Sequence, residues 1–347
     1  MVVVMKSDAT PDDIATVVDL VESAGGTAFV SRGVSRTIIG LVGDVVQFQN
    51  LNLAALPGVN DVIRISEPYK LVSREHHDAT STIDVGGVSI GADTFTLIAG
   101  PCAVESEEQT LAAARMAQRA GATLLRGGAF KPRTSPYAFQ GLGRPGLEIL
   151  ATARAETGLP VVTEVVDASH VDLVASYADM LQVGTRNMQN FALLQAVGDA
   201  GRPVLLKRGL QATLEEWLMA AEYVAQRGNL NIVLCERGIR SFDASTRNTL
   251  DISAVPLVHA LSHLPVIVDP SHAAGRRDLV VPLARAAMGA GADGVMVDVH
   301  PHPEAALCDG PQALVDDDLR ELSDAARTIP ALLGRRWEGA AVPATRG

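Results

Sequence analysis

Arg126, Lys131 and Arg133 lie within eight positions of one another in the segment LLRGGAFKPRTSPYAFQGLG, Leu124 to Gly143. Arginine offers a fork of N–H donors that matches carboxylate and phosphate groups, whereas lysine acts as a point charge. The glycines between them let a ligand approach the backbone closely, because they carry no side chain. The chain has 29 lysines and arginines against 40 acidic residues, a net charge of −11. Positive charge concentrated in so acidic a chain predicts a site for a small, highly anionic substrate.

Basic residues also follow other apolar, strand-like segments of the chain. A single basic residue after a strand is commonly a solvated surface charge. Here five of eight such segments are followed by at least one, and positive charges gathered at one place repel one another unless an anion lies between them. The polar residues at these positions include Glu164, Gln182, Arg186, Lys207, Arg208, Glu236, Arg237, Arg240, Arg276 and Arg277.

Cys102, His272, Asp298 and Asp309 form a second group of residues with a shared chemistry. They follow the first, seventh and eighth strand-like segments, which are neighbours when a barrel closes. A thiolate, an imidazole and two carboxylates suit a borderline divalent ion such as Mn²⁺, Fe²⁺, Co²⁺ or Zn²⁺. Spacing alone does not decide between this interpretation and a simpler one, in which Cys102 is a small buried apolar residue and His272 a loop histidine.

The elements that position these residues alternate between strand-like and helix-like segments from residue 94 onward. Eight such pairs favour a (β/α)₈ barrel, whose active site lies on the loops after its strands, over an open doubly wound sheet. No GxGxxG follows the first strand, which removes the usual support for a nucleotide-binding sheet. The predicted strands cover 95–99, 123–126, 160–164, 179–183, 203–206, 231–235, 265–268 and 294–297. The predicted helices cover 106–120, 144–157, 168–177, 190–200, 213–227, 248–262, 279–290 and 316–329.

Residues 1–70 predict a small separate domain before the barrel. The strands MVVVMK, GTAFVSR, TIIGLVG and VNDVIRIS combine with the helices PDDIATVVDLVESAG and VVQFQNLNLAAL in the βαββαβ order of a ferredoxin-like domain. A linker and a hairpin, with Gly86 and Gly87 at its turn, occupy 71–93. The barrel is assigned to 94–335 and a C-terminal tail to 336–347.

Composition excludes several classes of partner. No apolar run approaches the roughly 18 residues of a membrane span, and the N-terminal MVVVMKSD is too short for a signal peptide. The three cysteines form no recognisable disulfide framework, so we expect a cytoplasmic protein. The negative net charge argues against nucleic acid or an anionic membrane as a partner.

Seven long motifs of the barrel resemble one family of enzymes, the 3-deoxy-D-arabino-heptulosonate 7-phosphate (DAHP) synthases of type Iβ. The resemblance runs from Phe95 to Ile329 and extends to the N-terminal domain and the PYKLVSRE linker. It implies a transferase that condenses phosphoenolpyruvate with erythrose 4-phosphate and releases phosphate, the first step of the shikimate pathway to aromatic amino acids. The motifs are AGPCAVES, LRGGAFKPRTSPYAFQGLG, QVGTRNMQNFALL, PVLLKRG, LCERGIRSFDASTRNTLDISAVP, VDPSHAAGRRDLV and VHPHPEAALCDG.

The resemblance also implies roles for individual residues. Phosphoenolpyruvate would be held at its carboxylate by Arg126 and Lys131 and at its phosphate by Arg186, Lys207 and Arg237, with Glu164 and Gln182 close by. The aldose phosphate would be received by Arg133, Thr134 and Ser135, with help from Arg276. The four metal positions of the family fall on Cys102, His272, Asp298 and Asp309.

Two residues beside these sites carry catalytic hypotheses. Asp269 would stand beside the metal where the aldehyde arrives. Lys131 would donate a proton to the aldehyde oxygen, since neighbouring positive charges lower the pKa of a lysine.

One metal position departs from the family pattern. The residue in VMVDVHP is usually Glu and is Asp298 here, so its carboxylate ends about 1.5 Å short unless the loop shifts or a water bridges. We therefore expect weakened metal binding. Two alternatives remain. The first is a sister synthase that uses arabinose 5-phosphate; the KPRTS segment argues against it, because that enzyme carries a K-x-N-R-S-like loop. The second is a regulatory barrel without catalysis.

The remaining expectations concern residues and assembly outside the reaction. Cys235 is expected to pack, Cys308 to be a bystander thiol, and His300 and His302 to be loop histidines and not ligands. The N-terminal domain would either sense tyrosine or phenylalanine as a feedback effector or serve oligomer contact alone. A homotetramer is the expectation from the family.

Overall fold

The computed structural model describes residues 1–32, 36–44, 47–48, 50–63, 67–91, 93–337 and 339. Within it the chain divides into two compact units, Met1–Pro68 and Tyr69–Gly347. None of the described helices is long and apolar enough to cross a membrane.

The first unit contains β1 (Val2–Met5), α1 (Pro11–Ser23), β2 (Thr27–Arg32), β3 (Thr37–Val42) and β4 (Val59–Ile63). Its strands form an antiparallel sheet in the order β2-β3-β1-β4, with helix α1 packed on it. Helix α1 begins after Thr10, which forms a capping box with Asp13, and Pro11 fits the first turn. This sheet confirms the ferredoxin-like prediction. The second predicted helix falls partly on 45, 46 and 49, outside the described residues, as do 64–66 of the fourth predicted strand. A short 3₁₀ helix, Leu53–Ala55, lies within the described part of the second predicted helix.

The second unit is built on eight parallel strands, each paired with the next in sequence. The last of them pairs with the first, from Gly294↔Thr96 to Asp298↔Gly100, which closes the sheet into a barrel. All eight predicted strands are confirmed to within one residue at each end. They are β7 (Thr94–Gly100), β8 (Leu124–Arg126), β9 (Val161–Val165), β10 (Met180–Val183), β11 (Val204–Lys207), β12 (Ile232–Glu236), β13 (Val266–Val268) and β14 (Gly294–Asp298).

Helices follow these strands and cover the outside of the barrel. The helix predicted over 248–262 begins only at Ala254, because the preceding segment pairs with other loops, including an Ile239↔Thr249 bridge. An unpredicted short helix starts directly after β13. The helices are α2 (Glu107–Arg119), α3 (Arg144–Thr157), α4 (Val171–Ala175), α5 (Phe191–Asp199), α6 (Leu214–Ala225), α7 (Ala254–Leu261), α8 (Pro270–Ala274), α9 (Arg277–Gly289) and α10 (Asp316–Leu332).

A β-hairpin closes the barrel at the end where its strands begin. Its strands, β5 (Ile83–Val85) and β6 (Val88–Ile90), turn at Gly86 and Gly87, both with positive φ. Their apolar side chains pack against residues that each barrel strand points inward, so hairpin and barrel interior form one core. That core contains Ile83, Val85, Ile90, Ile98, Leu124, Val162, Met180, Leu205, Val233, Cys235, Ile267 and Met296.

The segments flanking the barrel are tied to it by specific contacts. The backbone N–H groups of Leu71 and Val72 donate to the two oxygens of the buried Glu222 carboxylate, at 3.0 and 3.1 Å. On the C-terminal side of the barrel sequence, β15 (Arg336–Trp337) pairs in parallel with the start of β7. The first residues of the segment we assigned to a tail therefore continue the barrel sheet, while 338 and 340–347 lie outside the described residues.

Candidate active site

The loops after the barrel strands surround a cavity of about 460 Å³ at the end opposite the hairpin. Parallel strands all end at this face, so side chains far apart in sequence meet here. Twelve of the sequence-predicted site residues line the cavity: Arg126, Lys131, Arg133, Thr134, Ser135, Glu164, Gln182, Arg186, Lys207, Arg237, His272 and Asp309.

The floor of the cavity holds cations that are almost completely buried. Arg126 is 3% exposed, Lys207 4% and Arg237 8%. Burial lowers the pKa of Arg237, because a charged group loses solvation there. Positive charges held in so little water attract an anion more strongly than surface charges do. This floor therefore favours a ligand that brings its own negative charges.

Among the residues that the structure describes, Glu164 is the one buried acid that lines the cavity beside these cations. Burial raises its pKa, although the positive charges of Lys131, Lys207 and Arg126 oppose the shift. Gly184 makes room for this side chain, since a Cβ at that position would lie 1.9 Å from Glu164 Oε1. The carboxyl group can therefore reach the cavity only because a glycine stands opposite.

The KPRTS loop forms one wall of the cavity. Arg186 Nη2 donates to Thr134 Oγ1 at 3.3 Å, which joins this loop to the loop after β10. Arg133 Nη1 contacts Cys308 Sγ. At the far end of the segment Gly141 has φ +91°, and a Cβ there would lie 2.2 Å from Ala129 O. The loop can fold back on itself in this way only with glycine at that position.

The four residues of the predicted metal group lie together at the edge of the cavity. Cys102, His272, Asp298 and Asp309 each offer one donor atom, and these atoms all lie within 4.8 Å of one another. Cys102 Sγ is 3.1 Å from Asp309 Oδ2 and 3.7 Å from His272 Nε2. His272 Nε2 is 3.6 Å from Asp298 Oδ2. One sulfur, one nitrogen and two oxygen donors converging on one point fit a borderline divalent cation.

The orientation of His272 is set by the unpredicted helix α8. Asp269 caps this helix: its Oδ1 accepts the backbone N–H of His272 at 2.9 Å, and Pro270 fits the first turn. Its other oxygen, Oδ2, lies 2.8 Å from His272 Nδ1. Nδ1 is thus turned to a carboxylate and Nε2 toward the other three donors, the arrangement in which histidine serves as a metal ligand.

Both carboxylates of the group have a second polar partner. Asp298 pairs with Arg126, and Gln312 Nε2 donates to its Oδ2 at 2.5 Å. Asp309, in the left-handed region at φ 56°, has its Oδ1 3.0 Å from Arg247 Nη1.

The thiol of Cys102 is poised to lose its proton. The side-chain hydrogen bond with Cys308, whose Sγ lies 3.6 Å away, and the charge of Lys131 hold the pKa of Cys102 well below its ordinary value. Lys131 Nζ donates to Cys102 Sγ at 3.2 Å and to Cys102 O at 2.9 Å. The expectation for Lys131 was wrong in direction: burial is the largest effect and lowers its pKa, but the negative charges of Cys102, Cys308 and Glu164 together outweigh it, so the net pKa is raised.

Four predicted site residues do not line the cavity: Cys102 and Asp298 of the metal group, which lie at its edge, and Arg276 and Asp269. Arg276 pairs with Asp278 on the exposed surface, at 2.8 Å. It begins the segment that leads into α9, and its side chain turns to this nearby carboxylate. Asp269 is fully buried behind His272, where it also pairs with Lys207. Its expected place beside an incoming aldehyde stays a prediction.

Three residues that we did not predict belong to the site or its immediate surroundings: Arg247, Asn248 and Gln312. Arg247 and Asn248 line the cavity from the loop after β12, together with Arg240, which the sequence had placed among the basic residues after the sixth strand, and Gln312 contacts Asp298. The basic residue in STRN was a signal for Arg247. No sequence signal pointed to Gln312, whose role depends on a contact across the barrel mouth.

The expectations for the other cysteines and histidines hold in part. Cys235 is buried inside the barrel, and burial raises its pKa to about 12. His300 Nε2 lies 3.4 Å from Glu105 Oε2, away from the metal group, and the side chain of His302 is exposed. Cys308 is more than a bystander, since it contacts both Cys102 and Arg133.

Fold and site together define a barrel enzyme for small substrates with several negative charges. The chain belongs to the DAHP synthetase I family, whose family model matches residues 70–330. The DAHP synthase ferredoxin-like domain matches residues 1–67. The family resemblance seen in the sequence motifs is confirmed.

Individual relatives match most of the chain. The phospho-2-dehydro-3-deoxyheptonate aldolase of Thermotoga maritima is 51% identical over 334 residues, 96% of this chain and 99% of the relative. The crystal structure of the DAHP synthase from Thermotoga maritima has a TM-score of 0.89 at 49% identity and covers 97% of this chain and 98% of its own. The 2-dehydro-3-deoxyphosphooctonate aldolase of Syntrophotalea carbinolica is more distant, 35% identical over 271 residues, 73% of this chain and 97% of the relative.

Proposed function

We propose that the chain condenses phosphoenolpyruvate with erythrose 4-phosphate, forming 3-deoxy-D-arabino-heptulosonate 7-phosphate and releasing phosphate. One observation carries the proposal: a cavity with buried cations adjoins a four-residue cluster of metal-type donors. The substrates together bring two phosphates and one carboxylate, which repel one another unless cations hold them. Membership of the DAHP synthetase I family supports the same reaction.

Phosphoenolpyruvate is assigned to the buried floor of the cavity. Arg126 and Lys131 would hold its carboxylate, and Arg186, Lys207 and Arg237 its phosphate. Gln182 and Glu164 lie close by. All seven line the cavity, and the burial of most of them would orient the substrate and keep water away from it.

The aldose phosphate is assigned to the wall formed by Arg133, Thr134 and Ser135. These residues are the more exposed part of the cavity lining, so the second substrate would enter after the first. We leave Arg276 out of this site, because it pairs with Asp278 at the surface.

A divalent ion held by Cys102, His272, Asp298 and Asp309 would supply a Lewis acid that polarises the aldehyde. C3 of phosphoenolpyruvate forms the new bond to the aldehyde carbon, water adds at C2, and the C2–O bond to phosphate breaks. Lys131 would deliver a proton to the aldehyde oxygen, since its Nζ lies beside Cys102. Asp269 would act through His272 by fixing its ring.

The experiment follows the loss of ultraviolet absorbance of phosphoenolpyruvate with metal-stripped protein, before and after adding Mn²⁺. Erythrose 4-phosphate and arabinose 5-phosphate are offered in parallel. We expect metal-dependent consumption only with erythrose 4-phosphate. Consumption with arabinose 5-phosphate would identify the sister synthase, and no consumption with either sugar would favour a regulatory barrel.

Regulation and assembly belong to the same proposal. The unit Met1–Pro68 would bind tyrosine or phenylalanine as a feedback effector, and the chain would act as a homotetramer in the cytoplasm. Oligomer contact alone is the alternative role for this unit. Activity that stays unchanged at saturating tyrosine and phenylalanine would leave only the alternative, and sedimentation or light scattering measures the assembly.

A further inference from the structure

We infer that Arg247 is a positioning residue of the metal centre, one that fixes the carboxylate of Asp309 so that a single oxygen faces the other three donors. The inference rests on the proposed function only in taking the cluster to bind a divalent ion. Arg247 lies on the loop after β12, outside the strand ends that supply the predicted ligands.

The contacts of Asp309 separate its two oxygens. Oδ1 lies 3.0 Å from Arg247 Nη1. Oδ2 lies 3.1 Å from Cys102 Sγ and 3.7 Å from His272 Nε2. A carboxylate on so short a side chain can rotate and exchange its oxygens unless one of them is held. The guanidinium therefore selects Oδ2 as the oxygen that faces the cluster.

The backbone of Arg247 is hydrogen-bonded to the helix that carries His272. Arg247 N–H donates to Ala274 O at 3.1 Å, and Asn248 N–H to Ala273 O at 2.9 Å. The side chain of Asn248 donates to His272 O at 3.0 Å. The two residues 247 and 248 thus hold the backbone of one ligand and the side chain of another.

A glycine allows this close approach. Gly275 ends α8 with φ +67°, and a Cβ there would lie 2.8 Å from Arg247 Cβ. Any other residue would be strained by the positive φ and would push Arg247 away from the helix. The spacing between His272 and Asp309 is therefore built into the packing of this loop against α8.

A competing effect of Arg247 has the opposite sign. A positive charge near a bound dication repels it, so removing that charge should tighten metal binding if charge alone mattered. If positioning matters, the same removal should weaken metal binding, since partners of ligands typically contribute 10–100-fold in affinity. The direction of the change therefore decides between the two effects.

The experiment measures Mn²⁺ binding to the metal-stripped full chain without substrates, from the electron paramagnetic resonance signal of unbound Mn²⁺. The variants are Arg247→Met, Arg247→Lys and, as the matched control, Arg240→Met, which removes a cation from the same cavity. We expect a dissociation constant about tenfold or more higher for Arg247→Met. Arg247→Lys should recover part of the affinity, and Arg240→Met should stay within about twofold of the parent chain.

Binding by Arg247→Met that equals or exceeds that of the parent chain would overturn the inference and leave the proposed reaction untouched. Absence of Mn²⁺ binding by the parent chain would overturn both. Weakened binding by Arg247→Met in a chain that consumes no phosphoenolpyruvate would support the inference while the proposed reaction fails. Thermal unfolding of the metal-free variants checks folding, and Arg247→Lys keeps the test decisive if Arg247→Met does not fold.

Discussion

At the scale of single residues, each carboxylate of the proposed metal site has one guanidinium partner: Asp298 pairs with Arg126 and Asp309 with Arg247. Arg126 is also assigned to the carboxylate of phosphoenolpyruvate, so one side chain adjoins both the metal group and the substrate floor. A substitution at Asp298 should therefore alter both metal binding and phosphoenolpyruvate binding.

Asp298→Glu should bind Mn²⁺ several-fold more tightly than the parent chain. The longer side chain, which is the usual one in the family at this position, extends the carboxylate by about 1.5 Å toward the other donors. The measurement is Mn²⁺ titration of the metal-stripped protein. Asp278→Glu, the same substitution at an exposed site, is the control, and weaker binding by Asp298→Glu would show that the shorter side chain suits this site.

Arg133→Met should raise the KM for erythrose 4-phosphate about tenfold or more, the order expected when a charge-assisted hydrogen bond to phosphate is lost. Arg276→Met should change it less than about twofold, because Arg276 is paired at the surface outside the cavity. Steady-state kinetics at saturating phosphoenolpyruvate separates the two. An equal rise in KM in both variants would show that Arg276 also binds erythrose 4-phosphate.

At the scale of elements, the sequence determines the strands of the barrel better than its loops. Strand ends such as Arg126, Glu164 and Lys207 follow buried apolar runs, and the site residues on them could be located from that pattern alone. The loop from Gly238 to Ile252 could not, because its course depends on hydrogen bonds to α8 that are distant in sequence. Helix α8 carried a local signal, since Asp269 and Pro270 are typical of a helix start.

His263 lies at the opposite end of the barrel and joins the linker to it. Its Nε2 lies 2.8 Å from Leu71 O and its Nδ1 2.8 Å from Ser81 Oγ. Burial lowers the pKa of His263, the charges of His77 and Arg74 add to the shift, and the bond to Leu71 and the charge of Glu222 oppose it. The folded state thus keeps this histidine neutral at a pH where the unfolded chain protonates it.

The free energy of unfolding should therefore fall as the pH drops below about 6.5, the ordinary histidine pKa, and continue to fall until the pH passes the lower folded pKa. His263→Gln removes the titrating group, so its stability should decline less between pH 7 and pH 5 than that of the parent chain. Urea unfolding at both values measures the difference. Equal declines in the two proteins would mean that groups other than His263 cause the loss of stability between pH 7 and pH 5.

At the scale of the whole molecule, the two units have separate hydrophobic cores. The order of strands and helices along each unit could be predicted from hydrophobic periodicity. In the barrel, consecutive strands also pair, whereas in the first unit β1 pairs with β3 and β4. The pairing of Arg336–Trp337 with β7 could not be predicted, because two residues carry too little pattern to predict a strand.

A chain that starts at Tyr69 should fold and keep its turnover, because the barrel carries its own core and closing hairpin. A truncated form of the synthase from Thermotoga maritima has a solved structure that covers 78% of this chain, with a TM-score of 0.73. If the first unit senses tyrosine or phenylalanine, the shortened chain should lose inhibition that the full chain shows. Turnover with and without each amino acid measures this, and inhibition that survives truncation would place the effector on the barrel.

The hairpin that closes the barrel lies at the end away from the cavity, and this separation has an evolutionary consequence. Substitutions in the loops at the mouth can change which sugar phosphate is accepted without disturbing the core that Ile83, Val85 and Ile90 complete. Divergence between enzymes for different aldoses then needs few compensating changes.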